Sequence, residues 1–203
     1  MKILCIGRNY AEHIAELNNE RPSEPVLFIK PDTAILRDNE PFYYPEFSQD
    51  IHHEVEIVLK INKMGKNIEP KFAHKYYEEI GIGIDFTARD LQSKLKEKGL
   101  PWEKAKAFNG SAPISGFIPK GEFNDLNNLN FHLEINGELR QKGNTSMMLW
   151  NFDEIIAEIS KYFTLKTGDL IFTGTPAGVG SVKIGDTLSA YLEDEKLLEF
   201  EIK

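Results

Sequence analysis

Short apolar runs closed by turn residues make up most of this chain, and only a few segments carry the three-to-four spacing of an amphipathic helix. Lys2 to Ile6 predicts a buried strand leaving through the turn Gly7-Arg8-Asn9, and Pro25 to Lys30 predicts a second strand that Pro31 ends. Between them, Tyr10 to Leu17 has helical spacing, and Asn18 to Pro25 is a polar, proline-broken loop. Pro41 to Gln49 reads as an irregular aromatic cover over the core. The pattern then predicts strands at His52–Lys60 and Ile80–Ile84, with a short helix over Phe72–Glu79. Thr87–Lys98 reads as an amphipathic helix with Thr87 as its N-cap. Asn136-Gly137 between two alternating runs is a type I′ hairpin signal. Asn151 to Phe163 carries Ile155, Ile156, Ile159 and Phe163 on one helical stripe. Leu170–Phe172 is a buried strand running into the glycine-rich loop Thr173–Gly180, and Leu188–Leu192 with Leu197–Ile202 forms a closing hairpin.

At 203 residues with no linker or internal repeat, the chain reads as one domain, 1–203. Thirty-two acidic against twenty-four basic residues give a net charge of −8, which argues against a nucleic-acid partner. Cys5 is the one cysteine, so no internal disulfide is possible and a cytoplasmic location is expected. It sits in an apolar run and reads as a buried structural thiol. No run is long enough to span a membrane, and none is expected to.

The candidate chemistry starts at Glu54 and Glu56, whose side chains share one strand face while Val55, Ile57 and Leu59 take the other. Their Cα atoms would lie roughly 6.6 Å apart, close enough for both carboxylates to reach one hard cation. By itself the pair reads first as a solvated face, and it needs a third ligand to mean more. Asp85 ends the next predicted strand, where a capping role and a third metal ligand are both open. His13 and Glu16, three apart, are neighbours on one helical face and read first as a surface pair, with a place in a lid beside the polar loop as the other reading. Lys104 or Lys106 lies in a small and aromatic stretch that can draw one of them inward. The backbone N–H groups of Thr173–Gly180 suit a carboxylate or phosphate, although neither a P-loop nor a dinucleotide turn is present.

Several segments in this order resemble the fumarylacetoacetate hydrolase family, in its short acylpyruvate hydrolase and oxaloacetate decarboxylase branch. They are Gly7-Arg8-Asn9-Tyr10, Leu27-Phe28-Ile29-Lys30-Pro31, His53-Glu54-Val55-Glu56, Asp85-Phe86-Thr87-Ala88-Arg89-Asp90-Leu91-Gln92, Gly99-Leu100-Pro101-Trp102, Asn136-Gly137-Glu138-Leu139-Arg140 and Thr173-Gly174-Thr175-Pro176. The resemblance implies an α+β, β-rich fold, a twisted β-roll flanked by helices, paired as a homodimer. It implies Mg²⁺ or Mn²⁺, with Ca²⁺ as a third option, on Glu54, Glu56 and Asp85. It makes His13 and Glu16 a catalytic dyad on a segment that orders over bound ligand. Lys106 is preferred to Lys104 as a further catalytic residue, with Arg89, Gln92 and Thr175 binding substrate. The implied reaction is hydrolysis of the C–C bond of an acylpyruvate to pyruvate and a carboxylic acid, with oxaloacetate decarboxylation mechanistically adjacent. An isomerase or decarboxylase of a 2-hydroxy-dienedioate is the alternative within the family, and a non-catalytic 2-oxo-acid-binding protein the alternative outside enzymes. Two features depart from relatives: the large N-terminal domain of animal fumarylacetoacetases has no counterpart, and Asn109 stands where many carry Asp.

Overall fold

The computed structural model describes residues 1–16 and 20–203, so Leu17, Asn18 and Asn19, which the sequence assigns to a helix end and a loop, lie outside the described residues. The molecule is β-rich with few helices, an α+β fold as expected. Among the described residues its largest sheet has six strands, in the order Val26–Pro31, Lys2–Gly7, Leu170–Phe172, Val55–Ile61, Tyr77–Ile84, Ile118–Pro119. Lys2–Gly7 and Leu170–Phe172 run parallel, and the other neighbours are antiparallel.

The central strand Val55–Ile61 is covered on both faces. Ile57 and Leu59 join the main apolar core, while Val58 packs with Ile3, Cys5, Leu170 and Phe172 on the opposite side. This double cover explains the nearly continuous apolar run there. Burial pushes the Cys5 thiol up, keeping it protonated and inert as the sequence suggests. A second sheet, Glu138–Asn144, Asn130–Ile135, Thr187–Leu192 and Glu195–Glu201, presents Phe131, Leu133, Leu188 and Phe200 to the main core. Its Asn136-Gly137 turn has positive φ at both residues, 55° and 78°, as a type I′ hairpin requires. The helix Phe152–Tyr162 adds Ile155, Ile156 and Ile159 to the same core. It starts at a capping box in which Asn151 and Glu154 satisfy each other's backbone N–H groups, an arrangement worth about 1 kcal/mol. Among the described residues no helix is long and apolar enough to cross a membrane.

Four local expectations are corrected. The helix predicted over Phe72–Glu79 is one turn, Pro70–Ala73, because Tyr77 to Glu79 pair with Ile61 and Lys60 and extend the next strand. Thr87 caps no helix: it pairs with His52 in a short strand, and the helix runs Arg89–Glu97 after Ala88. Pro31 does not terminate its strand but forms its last residue, tolerated because this strand lies at the sheet edge. For the same reason most of Val26–Pro31 is half-buried, not buried as predicted.

Candidate active site

Glu54 interrupts the strand that the sequence draws through it, separating Ile51–His53 from Val55–Ile61. Asp85 donates its backbone N–H to the Glu54 carbonyl at 2.8 Å, which ties the end of Tyr77–Ile84 to this break. One residue further in, Glu56 pairs across the ladder with Gly83. A Cβ at Gly83 would lie 2.8 Å from the Phe172 ring and 2.9 Å from the Pro113 carbonyl, so glycine is required for this close packing. The Glu56–Gly83 register and the Asp85–Glu54 backbone bond thus bring the three carboxylates together. They are buried, and each offers an oxygen within 4.8 Å of the others.

Cations surround this cluster. Lys106 Nζ donates to Glu54 Oε2 at 2.8 Å and to Asp85 Oδ2 at 2.6 Å, while Lys104 stays exposed. Arg89 donates to Glu54 Oε1 at 2.5 Å and to Gln92 Oε1 at 2.7 Å. Burial opposes ionisation of Glu54, but Lys106 and Arg89 prevail and hold its carboxyl well below the usual range. Glu56 has the opposite balance. Its Oε2 accepts the Gly174 N–H at 2.7 Å, yet burial and the charges of Asp85 and Glu54 push its carboxyl well above the usual range. Asp85 Oδ1 has the Lys30 ammonium at 2.7 Å but no aligned hydrogen-bond donor. An all-oxygen donor set with one carboxyl starved of positive charge and one orphaned oxygen fits a hard divalent cation.

His13 is buried at the other wall of the cleft, with Nδ1 3.4 Å from Glu16 Oε2. The Glu16 carboxylate is held by the Gly178 N–H at 3.0 and 3.2 Å. The glycine-rich loop therefore does receive carboxylates, but they are the protein's own Glu16 and Glu56. With Nδ1–H turned to Glu16, Nε2 is left as the basic nitrogen. Gly178 has a φ of +95°, and a Cβ there would lie 2.3 Å from the Arg140 carbonyl. Gly178→Ala should displace the loop, release Glu16 and lower turnover at least tenfold with about 1–3 kcal/mol of lost stability. An active variant with wild-type melting would contradict this support role.

Eight of the nine sequence-predicted residues line one cleft: His13, Glu54, Glu56, Asp85, Arg89, Gln92, Lys106 and Thr175. Glu16 stands behind His13. The cleft is narrow, with about 40 Å³ of free space between these side chains. Sequence reasoning missed Lys30 and Gln141. Lys30 is fully buried beneath Asp85, and nothing local marks a lysine as buried. Gln141 accepts the Val55 N–H, contacts His53 Nδ1, and donates to Thr175 Oγ1 at 2.8 Å, positioning that threonine. Here the hairpin carried a usable signal, because its register sets Gln141 opposite the inward Leu133.

The whole chain has known counterparts. The Fumarylacetoacetate (FAA) hydrolase C-terminal profile matches residues 2–203. The oxaloacetate tautomerase YcgM of Escherichia coli K12 is 44% identical over 97% of this chain and 90% of its own length. The mitochondrial oxaloacetate tautomerase FAHD1 of Mus musculus is 43% identical over 99% and 91%. Among solved structures, a fumarylpyruvate hydrolase of Pseudomonas aeruginosa in complex with Mn²⁺ and pyruvate superposes with a TM-score of 0.94. It is 33% identical, covering 100% of this chain and 89% of that one. A matched profile of nearly full length and relatives above 40% identity agree with the geometry of the cleft: this chain belongs to the fumarylacetoacetate hydrolase family.

Proposed function

We propose that this protein is a divalent-cation-dependent enzyme that interconverts the keto and enol forms of a small 2-oxo acid, with oxaloacetate as the first substrate to test. The observation that carries this reading is a buried histidine, oriented by Glu16, facing three carboxylates suited to a cation across one cleft. Similarity to oxaloacetate tautomerases, and to a fumarylpyruvate hydrolase that binds Mn²⁺ and pyruvate, supports it. Glu54, Glu56 and Asp85 would hold Mg²⁺ or Mn²⁺, whose positive charge would make the substrate's oxo group a better electron acceptor. His13 takes a proton from the carbon beside the oxo group. The C–H electron pair moves into a new C=C bond, and the oxo oxygen gains negative charge. Lys106, with Arg89 and Gln92 beside it, stabilises that charge, a proton from solvent water completes the enol, and His13 returns its own proton to solvent. Thr175, fixed by Gln141, orients the substrate in the cleft.

Hydrolysis of an acylpyruvate, the reaction expected first from the sequence, is the second reading. The His13–Glu16 pair supports it, since the same base could take a proton from water as that water attacks the distal carbonyl. The C–C bond then breaks to pyruvate and a carboxylic acid. A cytoplasmic homodimer belongs to the same reading.

The deciding experiment follows the enol absorbance of oxaloacetate, and separately pyruvate release from acetylpyruvate, with protein loaded with Mg²⁺ or Mn²⁺. Faster enol decay than in buffer supports tautomerisation, and pyruvate release supports hydrolysis. Neither activity would leave the 2-hydroxy-dienedioate isomerase or decarboxylase and the non-catalytic binding protein. His13→Ala should lower whichever activity is present by about 10²–10⁴. Burial lowers the His13 pKa from its ordinary 6.5, despite the opposing charges of Glu54 and Glu16. kcat/KM should therefore stay level through neutral pH and fall only below pH 6.5, as the imidazole takes up a proton. A fall that begins above pH 7 would exclude His13 as the base.

A further inference from the structure

The cations of the cleft do not all serve the carboxylate cluster. Lys106 and Arg89 are committed to Glu54 and Asp85. Lys96 also lines the cleft, on the last turn of the helix Arg89–Glu97, and no carboxylate of the described residues lies within ion-pair distance of it. Its ammonium sits 5.3 Å from the centre of the Trp102 ring, which holds the flexible side chain over the mouth. Arg8, at the turn after Lys2–Gly7, lines the same mouth. In a chain of net charge −8, Lys96 places a positive charge at the edge of the cleft. Partial burial, followed by the positive charges of Arg89, Arg8 and Lys106, lowers the Lys96 pKa from the usual lysine value. A neighbouring anion would relieve that strain.

We infer that Lys96 forms an anion subsite at the outer end of the cleft and selects 2-oxo acids that carry a second carboxylate remote from the reacting oxo group. The carboxylate cluster and His13 lie at the inner end, so the two ends of a short dicarboxylate address different parts of the cleft. The apolar wall between them, Val26 and Phe28 with Trp102, offers the chain of such a substrate no competing polar contact. Lys96 is a specificity-determining residue on this view, and it takes no part in proton transfer. The inference rests on the proposed 2-oxo acid chemistry.

The test compares oxaloacetate, a dicarboxylate, with acetylpyruvate, whose outer end is a neutral acetyl group. Lys96→Ala should lower the ratio of the two kcat/KM values, oxaloacetate over acetylpyruvate, about tenfold, chiefly through the oxaloacetate KM. Lys96→Glu should lower it further, and Lys96→Arg should restore it. Raising ionic strength should lower the ratio for wild type but little for Lys96→Ala. Because the Lys96 side chain stays partly exposed and its loss removes little beyond the contact with Trp102, these variants should melt close to wild type. If wild type turns over both substrates and the ratio is the same in the alanine and glutamate variants, the subsite is wrong while the chemistry stands. If wild type turns over neither, the proposed chemistry fails and the inference falls with it.

Discussion

Replacing Lys30 with methionine is expected to lower the melting temperature by roughly 6–20 °C. Lys30 is fully buried. Its ammonium lies 2.7 Å from Asp85 Oδ1 and donates to the Ser111 carbonyl at 2.9 Å, Ser111 Oγ at 3.0 Å and the Phe86 carbonyl at 3.3 Å. It also bonds the Lys106 carbonyl. Methionine fills much of the same volume but donates to none of these acceptors, although the Lys106 carbonyl keeps the Ser111 Oγ–H and the Ser111 carbonyl keeps the Phe86 N–H, and it removes a positive charge beside a buried carboxylate. Breaking a buried ion pair on one side costs about 3–5 kcal/mol. For a chain of this size each kcal/mol moves the midpoint by about 2–4 °C. The effect should reach the cleft as well, because Lys30 ties the backbone of Lys106 to Asp85. Thermal melting of purified protein checks it, and a midpoint within 2 °C of wild type would show that the ammonium contributes little.

The second large effect concerns Glu56 and has two opposite signs. Without divalent cation, Glu56→Gln should be more stable than wild type at neutral pH. Burial and the charges of Asp85 and Glu54 raise the Glu56 pKa well above its ordinary 4.5, so the folded state binds this proton more tightly than the unfolded chain. Stability from the protonated carboxyl is therefore present below pH 4.5 and lost as pH rises through and beyond it. Glutamine removes that loss while its amide oxygen still accepts the Gly174 N–H. The advantage of the variant should be widest near neutrality and shrink towards pH 4.5. With Mg²⁺ or Mn²⁺ the order should reverse. Wild type should gain stability with cation concentration, and the variant should gain almost none. Loss of outer-sphere partners alone costs metal sites 10–100-fold in affinity, so loss of a ligand should exceed about 100-fold. Melting in chelator and calorimetric titration with Mn²⁺ check both signs. Equal cation affinity for the two proteins would remove Glu56 from the site.

Local patterns were sufficient where physics acts locally. The Asn136-Gly137 turn needs two positive φ angles, and those residue types supply them at little cost. The helix Phe152–Tyr162 announces itself through its apolar stripe and its Asn151–Glu154 capping box. Where neighbours compete, the same reasoning failed. Thr87 has the chemistry of an N-cap but is taken by strand pairing with His52, and Tyr77–Glu79 is claimed by the adjacent strand.

The candidate site divides along the same line. From its residue types and spacing, the chain itself determines that Glu54 and Glu56 can reach a common point and that His13 and Glu16 are neighbours. Family resemblance decided for Asp85 as a ligand and for Lys106 over Lys104, and gave Arg89, Gln92 and Thr175 their roles. Only the tertiary structure decides the charge each group carries. Glu54 is ionised because Lys106 and Arg89 arrive from 52 and 35 residues away, and Glu56 resists ionisation because no comparable partner opposes its burial beside Asp85 and Glu54. Lys30 and Gln141 remained invisible for the same reason. A buried lysine or glutamine is stable only beside particular acceptors and donors, and those groups lie 55 or more residues away or, for Gln141, partly across sheets. Spacing along a strand or helix can be read from one segment, whereas desolvation and pairing depend on which distant segments the fold brings against it.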